Sequence, residues 1–377
     1  MAQFNTTAIK SDGRLKIDMS EDIALLVPSA APFTAITKRI KSGTANSYKV
    51  EWLERETEAR ADLVNGAKLA TDTVITVDNG AYFRPGFLVK IPRTGEVMLV
   101  SSVSNNDITV KRAFGTTAAA AIDDNDAIII LANASAEGSG APLDGGSAIT
   151  QQYNLTQIVK TPFSCTNTAN AVKIYGSNKL ITQEQKDAGV SHRLDLERSF
   201  LFGERKEDLT GTNPLRTAGG VLSFLKDNIY NVADGSLSEI EFNNWLEGVF
   251  VYGSQKKTLF ASPRLVSVIS SWAGAKLQTV SNASAKYGIN VVEYISPHGT
   301  LNIVKHPLLV GNYSGMGICL DMADVEYKSL EGRDTNLQTN IQSNDSDIRR
   351  DMYLTEATIV VKMSKHHGVI TGVVNPA

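Results

Sequence analysis

Val74-Ile75-Thr76-Val77 closes on Asp78-Asn79-Gly80, Phe87 to Ile91 closes on Pro92, and Arg93-Thr94-Gly95 turns into Glu96 to Val103. Asn105-Asn106-Asp107 then turns into Ile108 to Arg112, and Ala127 to Leu131 ends the series. Gly, Asn, Asp and Pro cut the run after each strand length of apolar residues, the pattern of an antiparallel sheet with tight connections. Five short strands at roughly 8 to 12 residue spacing predict a small antiparallel β-barrel over 71–132. Gly138, Gly140, Gly145 and Gly146 with Pro142 form a linker on its far side. The barrel therefore reads as a module inserted into a longer fold.

Upstream, residues 49–63 carry Glu51, Glu54, Arg55, Glu56, Glu58, Arg60 and Asp62 around a single aromatic, Trp52. Such a run is either a solvated face or a protruding loop whose charges pair with another subunit. On the second reading Glu54, Arg55, Glu56, Glu58 and Arg60 are the intersubunit contact candidates. Residues 1–48 are weakly periodic and broken by Pro28 and Pro32, which gives an extended arm with at most one short helix, near Ser20 to Val27. An arm with little core of its own orders only on a neighbour, because fixing each residue costs about 1–2 kcal/mol of backbone entropy.

Downstream the texture is mixed. A strand is expected from Tyr153 to Ser164 and a helix from about Asn178 to Glu204, with Gly203 near its end. Ser238-Glu239-Ile240-Glu241 is a capping box, and Phe242, Trp245, Leu246, Val249 and Phe250 follow at helical spacing. Thr258 to Ala261 reads as a strand, and Ser262-Pro263 supplies a cap and a first-turn proline for a helix burying Leu265, Val268, Ile269 and Trp272. Ser296-Pro297-His298-Gly299 turns between two more strands, and Thr355 to Met363 and Gly368 to Val373 complete the set. Helices and antiparallel strands alternate irregularly, so the fold class is α+β.

The 377 residues include 37 basic and 40 acidic side chains, a net charge of -3, with 42% apolar residues and two cysteines. That composition excludes disordered, collagenous and disulfide-stapled classes, and a surface neutralising phosphate on every side. The longest aliphatic run, Ala127 to Ala132, is far below the roughly 20 residues that span a bilayer, so no membrane partner is expected. No signal peptide is legible, which places the chain in a cytosol, and Cys165 and Cys319 read as buried free thiols.

Chemistry is hard to find. No phosphate loop, dinucleotide turn or hydrolase elbow occurs. His366 and His367 are adjacent and on a strand would face opposite ways. His192, His298 and His306 have no acid or cysteine at ligand spacing, and Asp123-Asp124-Asn125-Asp126 reads as an exposed turn. No catalytic residue, metal or cofactor is expected, and an enzyme is not. A length spent on arms, charged loops and an inserted barrel suits self-association.

Several stretches carry a family likeness: Phe83-Arg84-Pro85-Gly86-Phe87, Thr94-Gly95-Glu96-Val97-Met98 and Arg112-Ala113-Phe114-Gly115-Thr116-Thr117-Ala118-Ala119 in the module. Glu197-Arg198-Ser199-Phe200-Leu201-Phe202-Gly203 followed by Arg216-Thr217-Ala218-Gly219-Gly220, and Ser262-Pro263-Arg264 followed by Tyr287-Gly288-Ile289, extend it. In their order and spacing the chain resembles the HK97-like major capsid proteins of tailed bacteriophages, in the branch with a small β-rich insertion.

The resemblance implies a division of the chain. Residues 1–40 would be an N-terminal arm lying across neighbours, 41–70 and 133–150 an extended loop, and 71–132 the inserted β-barrel. Residues 151–235 and 321–377 would form a peripheral domain with a spine helix, and 236–320 an axial domain. The implied function is self-assembly, as hexamers and pentamers, into the icosahedral shell around double-stranded DNA, held without sequence-specific binding. Portal, scaffolding and decoration proteins would be partners, and the chain would reside in the virion capsid after assembly in the host cytoplasm. A tail-tube or decoration protein is the nearest alternative. A hydrolase gathering His192, His298 or His306 with an acid is the other.

Overall fold

Ser238 and Ser262 start two helices that cover one face of a sheet. The Ser238 hydroxyl accepts from the Glu241 amide while the Glu241 carboxylate accepts from the Ser238 amide, which opens the helix Glu239–Phe250. Ser262 accepts from the Leu265 amide at 3.2 Å ahead of the helix Pro263–Trp272. Both caps are those expected from the sequence.

The computed structural model describes residues 31–141, 146, 149–172, 180–272, 277–279 and 291–376. The expected helix near Ser20 to Val27, most of the arm and the Tyr287-Gly288-Ile289 stretch lie outside them. The chain divides into two compact units, Met1–Trp52 with Gln152–Ala377, and Leu53–Gln151.

In the first unit a seven-stranded sheet runs in the order Ile229–Asn231, Gly368–Thr371, Gly317–Leu320, Lys256–Ala261, Thr300–Lys305, Val291–Ile295, Leu277–Thr279. Phe242, Trp245, Leu246 and Val249, with Leu265, Val268 and Ile269 of the second helix, pack against Leu259, Leu301, Ile303 and Cys319 on one face. Phe260, Val304, Ile318 and Leu320 leave by the other face and join Leu196, Phe200 and Leu201 in a second core. Strand Lys256–Ala261 is thus buried from Lys257 onward and belongs to both cores.

The second core also takes Val325, Tyr327 and Ile359 from another sheet, ordered Ser42–Ala45, Val325–Leu330, Ile348–Val361, Gln157–Thr166. Ser42–Ala45 runs parallel to Val325–Leu330, and the other pairs are antiparallel. The helix Leu180–Phe202, about 34 Å long at 1.5 Å per residue, packs along Gln157–Thr166. It ends at Gly203, where a Cβ would lie 2.4 Å from the Ser199 carbonyl oxygen and 2.6 Å from that of Ala218. The buried Asn154 closes this seam. It donates to the carbonyls of Gly219 and Ile359 and accepts from the amides of Gly219 and Leu155.

The strand expected over Tyr153 to Ser164 is two strands. Ile149–Leu155 pairs with Lys49–Arg55 in a ribbon, Thr156 turns its hydroxyl to Glu356, and Gln157–Thr166 then joins Ile348–Val361.

The second unit is an antiparallel sheet of six strands: Ala61–Leu63, Ala127–Asn133, Phe87–Lys90, Val97–Ser104, Asp107–Lys111, Val74–Thr76. Register slips between Leu88 and Val89 and between Val100 and Ser102 bend it. A bridge from Val64 to Val77 joins the segments that follow its two outermost strands. The sheet reaches outside 71–132, since Ala61–Leu63 is too short to show a period of two. Ile75, Val89, Ile91, Met98, Ile108 and Ile128 fill its interior without exposure, each such side chain contributing about 1.5–3 kcal/mol.

One ion pair ties the module together. Arg112 donates Nε and Nη2 to the two oxygens of buried Glu96, each at 2.8 Å, and its other N–H groups reach the carbonyls of Leu69, Asp72 and Ala120. The amides of Ala113 and Ala120 add to the carboxylate. Burial pushes Glu96 up, but these donors outweigh it and hold the carboxyl below its usual range.

Candidate functional site

A buried acid and histidine do meet in this chain. His306 Nε2 lies 2.8 Å from Glu197 Oε1, both side chains at 0% exposure. Their hydrogen bonds define what they do. His306 Nδ1 accepts from the Leu308 amide at 3.3 Å, so Nε2 carries the proton and donates to Glu197. Glu197 accepts in addition from the amides of Phe33 and Thr34, each at 2.8 Å, and from the Thr34 hydroxyl. Those amides open the helix Pro32–Ile40, which the sequence does not predict because Pro32 reads as a breaker, although in the first turn a proline starts a helix; unpaired N–H groups and the helix dipole there favour a negative charge. At the other end of this helix Lys38 pairs with Asp334 at 2.9 Å, and Asp334 also accepts from buried Tyr327. Glu197 therefore anchors the arm helix to the long helix and to the end of strand Thr300–Lys305.

The remaining histidines of the hydrolase reading are not drawn to this pair. His192 is wedged between the hydroxyls of Thr161 and Thr355, at 2.9 and 2.7 Å, and stacks on Tyr353. Burial pushes its imidazole down. His298 is half-buried in the Ser296–Gly299 turn.

Sequence reasoning missed one cluster. Ligand atoms of Asp321, Asp324 and His366 lie within 4.8 Å of one another. His366 Nδ1 meets Asp324 at 2.6 Å, and Asp321 accepts from the Ser254 amide and hydroxyl and from the Ala323 amide. The positive charge held here is Lys257, buried, whose ammonium donates to the carbonyls of Val249, Tyr252 and His366 at 2.7, 2.8 and 2.6 Å. Burial pushes that ammonium down, and Cys319, Asp321 and Asp324 push it back up. Two of its carbonyls close the helix Glu239–Phe250, so Lys257 staples that C-terminus to the sheet. His366 and His367 lie between the strands Ile348–Val361 and Gly368–Thr371, where Met363 takes a left-handed φ of 54° and Ser364–His366 forms a 3-10 turn.

The charged run behaves differently along its length. Glu54 and Arg55 end the strand Lys49–Arg55, and Glu56, Glu58 and Arg60 lie in the connection to Ala61–Leu63. Arg55, Glu56 and Arg60 are exposed and Glu54 is half-buried. Glu58 accepts from Arg84 at 2.7 Å, which holds its carboxyl below the usual range, and Glu54, Arg55 and Glu56 are engaged as well. Arg93 grips Asp126 through Nε and Nη2, so the Asp123–Asp126 stretch is an exposed turn.

Buried polar groups in both units are thus spent on holding elements to one another. The SU10 major capsid protein family matches residues 1–374. The major capsid protein of Pseudomonas phage PaMx41 is 24% identical over 355 residues, 89% of this chain and 83% of that protein. The capsid subunit of cyanophage A-1(L) superposes with a TM-score of 0.56 over 98% of this chain and 99% of that one, at 8% identity. That of the native GTA particle does so with 0.52 over 99% and 100%, also at 8%. The structural likeness is in the HK97-like fold. The chain belongs to the SU10 major capsid protein family, phage major capsid proteins whose many copies build the shell.

Proposed function

We propose that the chain assembles as hexamers and pentamers into an icosahedral shell around the double-stranded DNA of a tailed phage, without catalysis and without reading base sequence. The observation that carries this reading is the anchoring of the arm helix Pro32–Ile40 by Glu197. It fixes the described end of the arm on the first unit, from which the arm is taken to reach a neighbour. In this reading 236–320 is the axial domain, 151–235 with 321–377 the peripheral domain, 41–70 with 133–150 the extended loop, and 71–132 an inserted barrel whose sheet extends to Ala61 and Asn133. Portal, scaffolding and decoration proteins are further partners, and assembly takes place in the host cytoplasm.

Such a wall works by multivalency. A subunit engaged on several sides leaves only when all its contacts open together, so each contact is modest. Glu54, Arg55, Glu56, Glu58 and Arg60 contribute intersubunit contacts, with Glu58 presented through its pair with Arg84. Reversing the charges of Glu56 and Arg60 together is expected to lower particle yield and to alter its salt dependence; unchanged yield and thermal stability across salt remove these residues from the interface. Negative-stain microscopy of the expressed chain, alone and with its neighbouring gene products, tests the whole reading. Closed polyhedral shells support it, whereas tubes or isolated trimers replace it with a tail-tube or decoration protein.

A further inference from the structure

Strand Ala127–Asn133 is apolar on both faces. Ile128 and Ile130 are buried in the core of the second unit, while Ile129 and Leu131, on the opposite face, remain 37% and 49% exposed. An antiparallel strand with one face in water alternates apolar with polar residues, and a strand apolar on both sides is the pattern of one covered on both. The exposed stripe continues across the sheet. Ile129 lies opposite Ala61 on one side and Lys90 on the other, Lys90 lies opposite Val97, and Leu63 adds a side chain 41% exposed. Lys90 is half-buried among these residues and has no acidic partner among the described residues. A cation set in an apolar face favours a partner that brings a carboxylate.

We infer that this outer face, centred on Ile129, Leu131 and Lys90, is a docking surface for a second copy of this chain, which places an acidic side chain on Lys90. The inference goes beyond shell formation but rests on it, since in a closed wall the molecules flanking a subunit are further copies. A modest contact suffices when each subunit makes several at once.

The test is made on the full chain. A photo-cross-linking amino acid replaces Ile129, particles are purified and irradiated, and products are separated under denaturing conditions, with an exposed residue of the loop that follows this strand, Glu137, as control. The expected product from position 129 has twice the mass of the chain and contains no other polypeptide. Capture of a different polypeptide, a link within one chain, or no link at all in intact particles overturns the inference and leaves the shell reading standing. A parent chain that forms no particles removes both. Lys90→Glu supplies a second measurement. It is expected to leave subunit unfolding unchanged and to lower particle yield about tenfold, the effect of about 1.4 kcal/mol per contact. Unchanged yield overturns the assignment of Lys90 to the contact.

Discussion

Lowering the pH from 7 to 5 is expected to cost the first unit about 2 kcal/mol through His367 alone. This imidazole is fully buried; Nδ1 accepts from the Asp321 amide at 3.1 Å and Nε2 donates to the Lys362 carbonyl at 2.9 Å. Both nitrogens are committed to the neutral form, because a proton on Nδ1 would face the Asp321 N–H. Burial pushes the group down to about 4, against about 6.5 in an unfolded chain. The unfolded state therefore takes up the proton first. The stability contribution is complete above pH 6.5 and is lost as pH falls toward 4, reaching about 3 kcal/mol at saturation. Carboxylates held low, such as Asp321 and Asp334, lose their contribution only below the ordinary carboxylate range near pH 4, outside this window. His192 shifts in the same direction, so a variant is needed to separate the two. Trp52, Trp245 and Trp272 are the three tryptophans and all lie in the first unit, so tryptophan fluorescence in urea follows this unit alone. His367→Gln keeps one donor and one acceptor but gains no proton. Its stability should fall less steeply between pH 6.5 and 5, by about one proton's worth of slope. An equal slope in parent and variant would refute the reasoning.

Glu197→Gln turns an amide N–H group toward donors that need an acceptor, so hydrogen exchange at Phe33 and Thr34 should quicken by about tenfold or more, the effect of about 1–3 kcal/mol for an unsatisfied buried group; mass spectrometry showing unchanged protection of Pro32–Ile40 would contradict the anchor. Arg112→Met strands a buried carboxylate and should cost the second unit about 3–5 kcal/mol in thermal unfolding, with Glu96→Leu added to it recovering much of the loss. Equal melting of the single and double variants would count against the pair. Cys319 is fully buried and its thiol is pushed up to about 12, so a thiol reagent at pH 8 should label it only in denaturant; rapid labelling of the native chain would show the core to be open.

The capping box at Ser238, the Ser262-Pro263 start and the Ser296–Gly299 turn were legible in the sequence because each is complete within a few residues. The ties within each unit were not. Glu96 and Arg112 are 16 residues apart and Glu197 meets His306 across 109, and no local preference marks either partner. Ser42–Ala45 is likewise a strand only because Val325–Leu330 offers it an edge. A partial signal was present in the stretches that carry the family likeness. Thr94–Met98 and Arg112–Ala119 each contain one member of the buried pair, and Glu197–Gly203 meets Arg216–Gly220 at the seam closed by Asn154. The charge run at 54–60 stood out by composition, but that Glu58 is taken by Arg84 depends on the folded path of the chain.

Strand Lys256–Ala261, shared by two cores, has a mechanical meaning. Leu259 and Phe260 are neighbours in the chain yet load opposite layers, so bending the seven-stranded sheet disturbs the packing under the long helix at once. Close-packed interiors resist compression, and the first unit, with such a common wall, flexes as one plate. In a shell of many copies, curvature is then taken up outside this unit and not by bending its sheet.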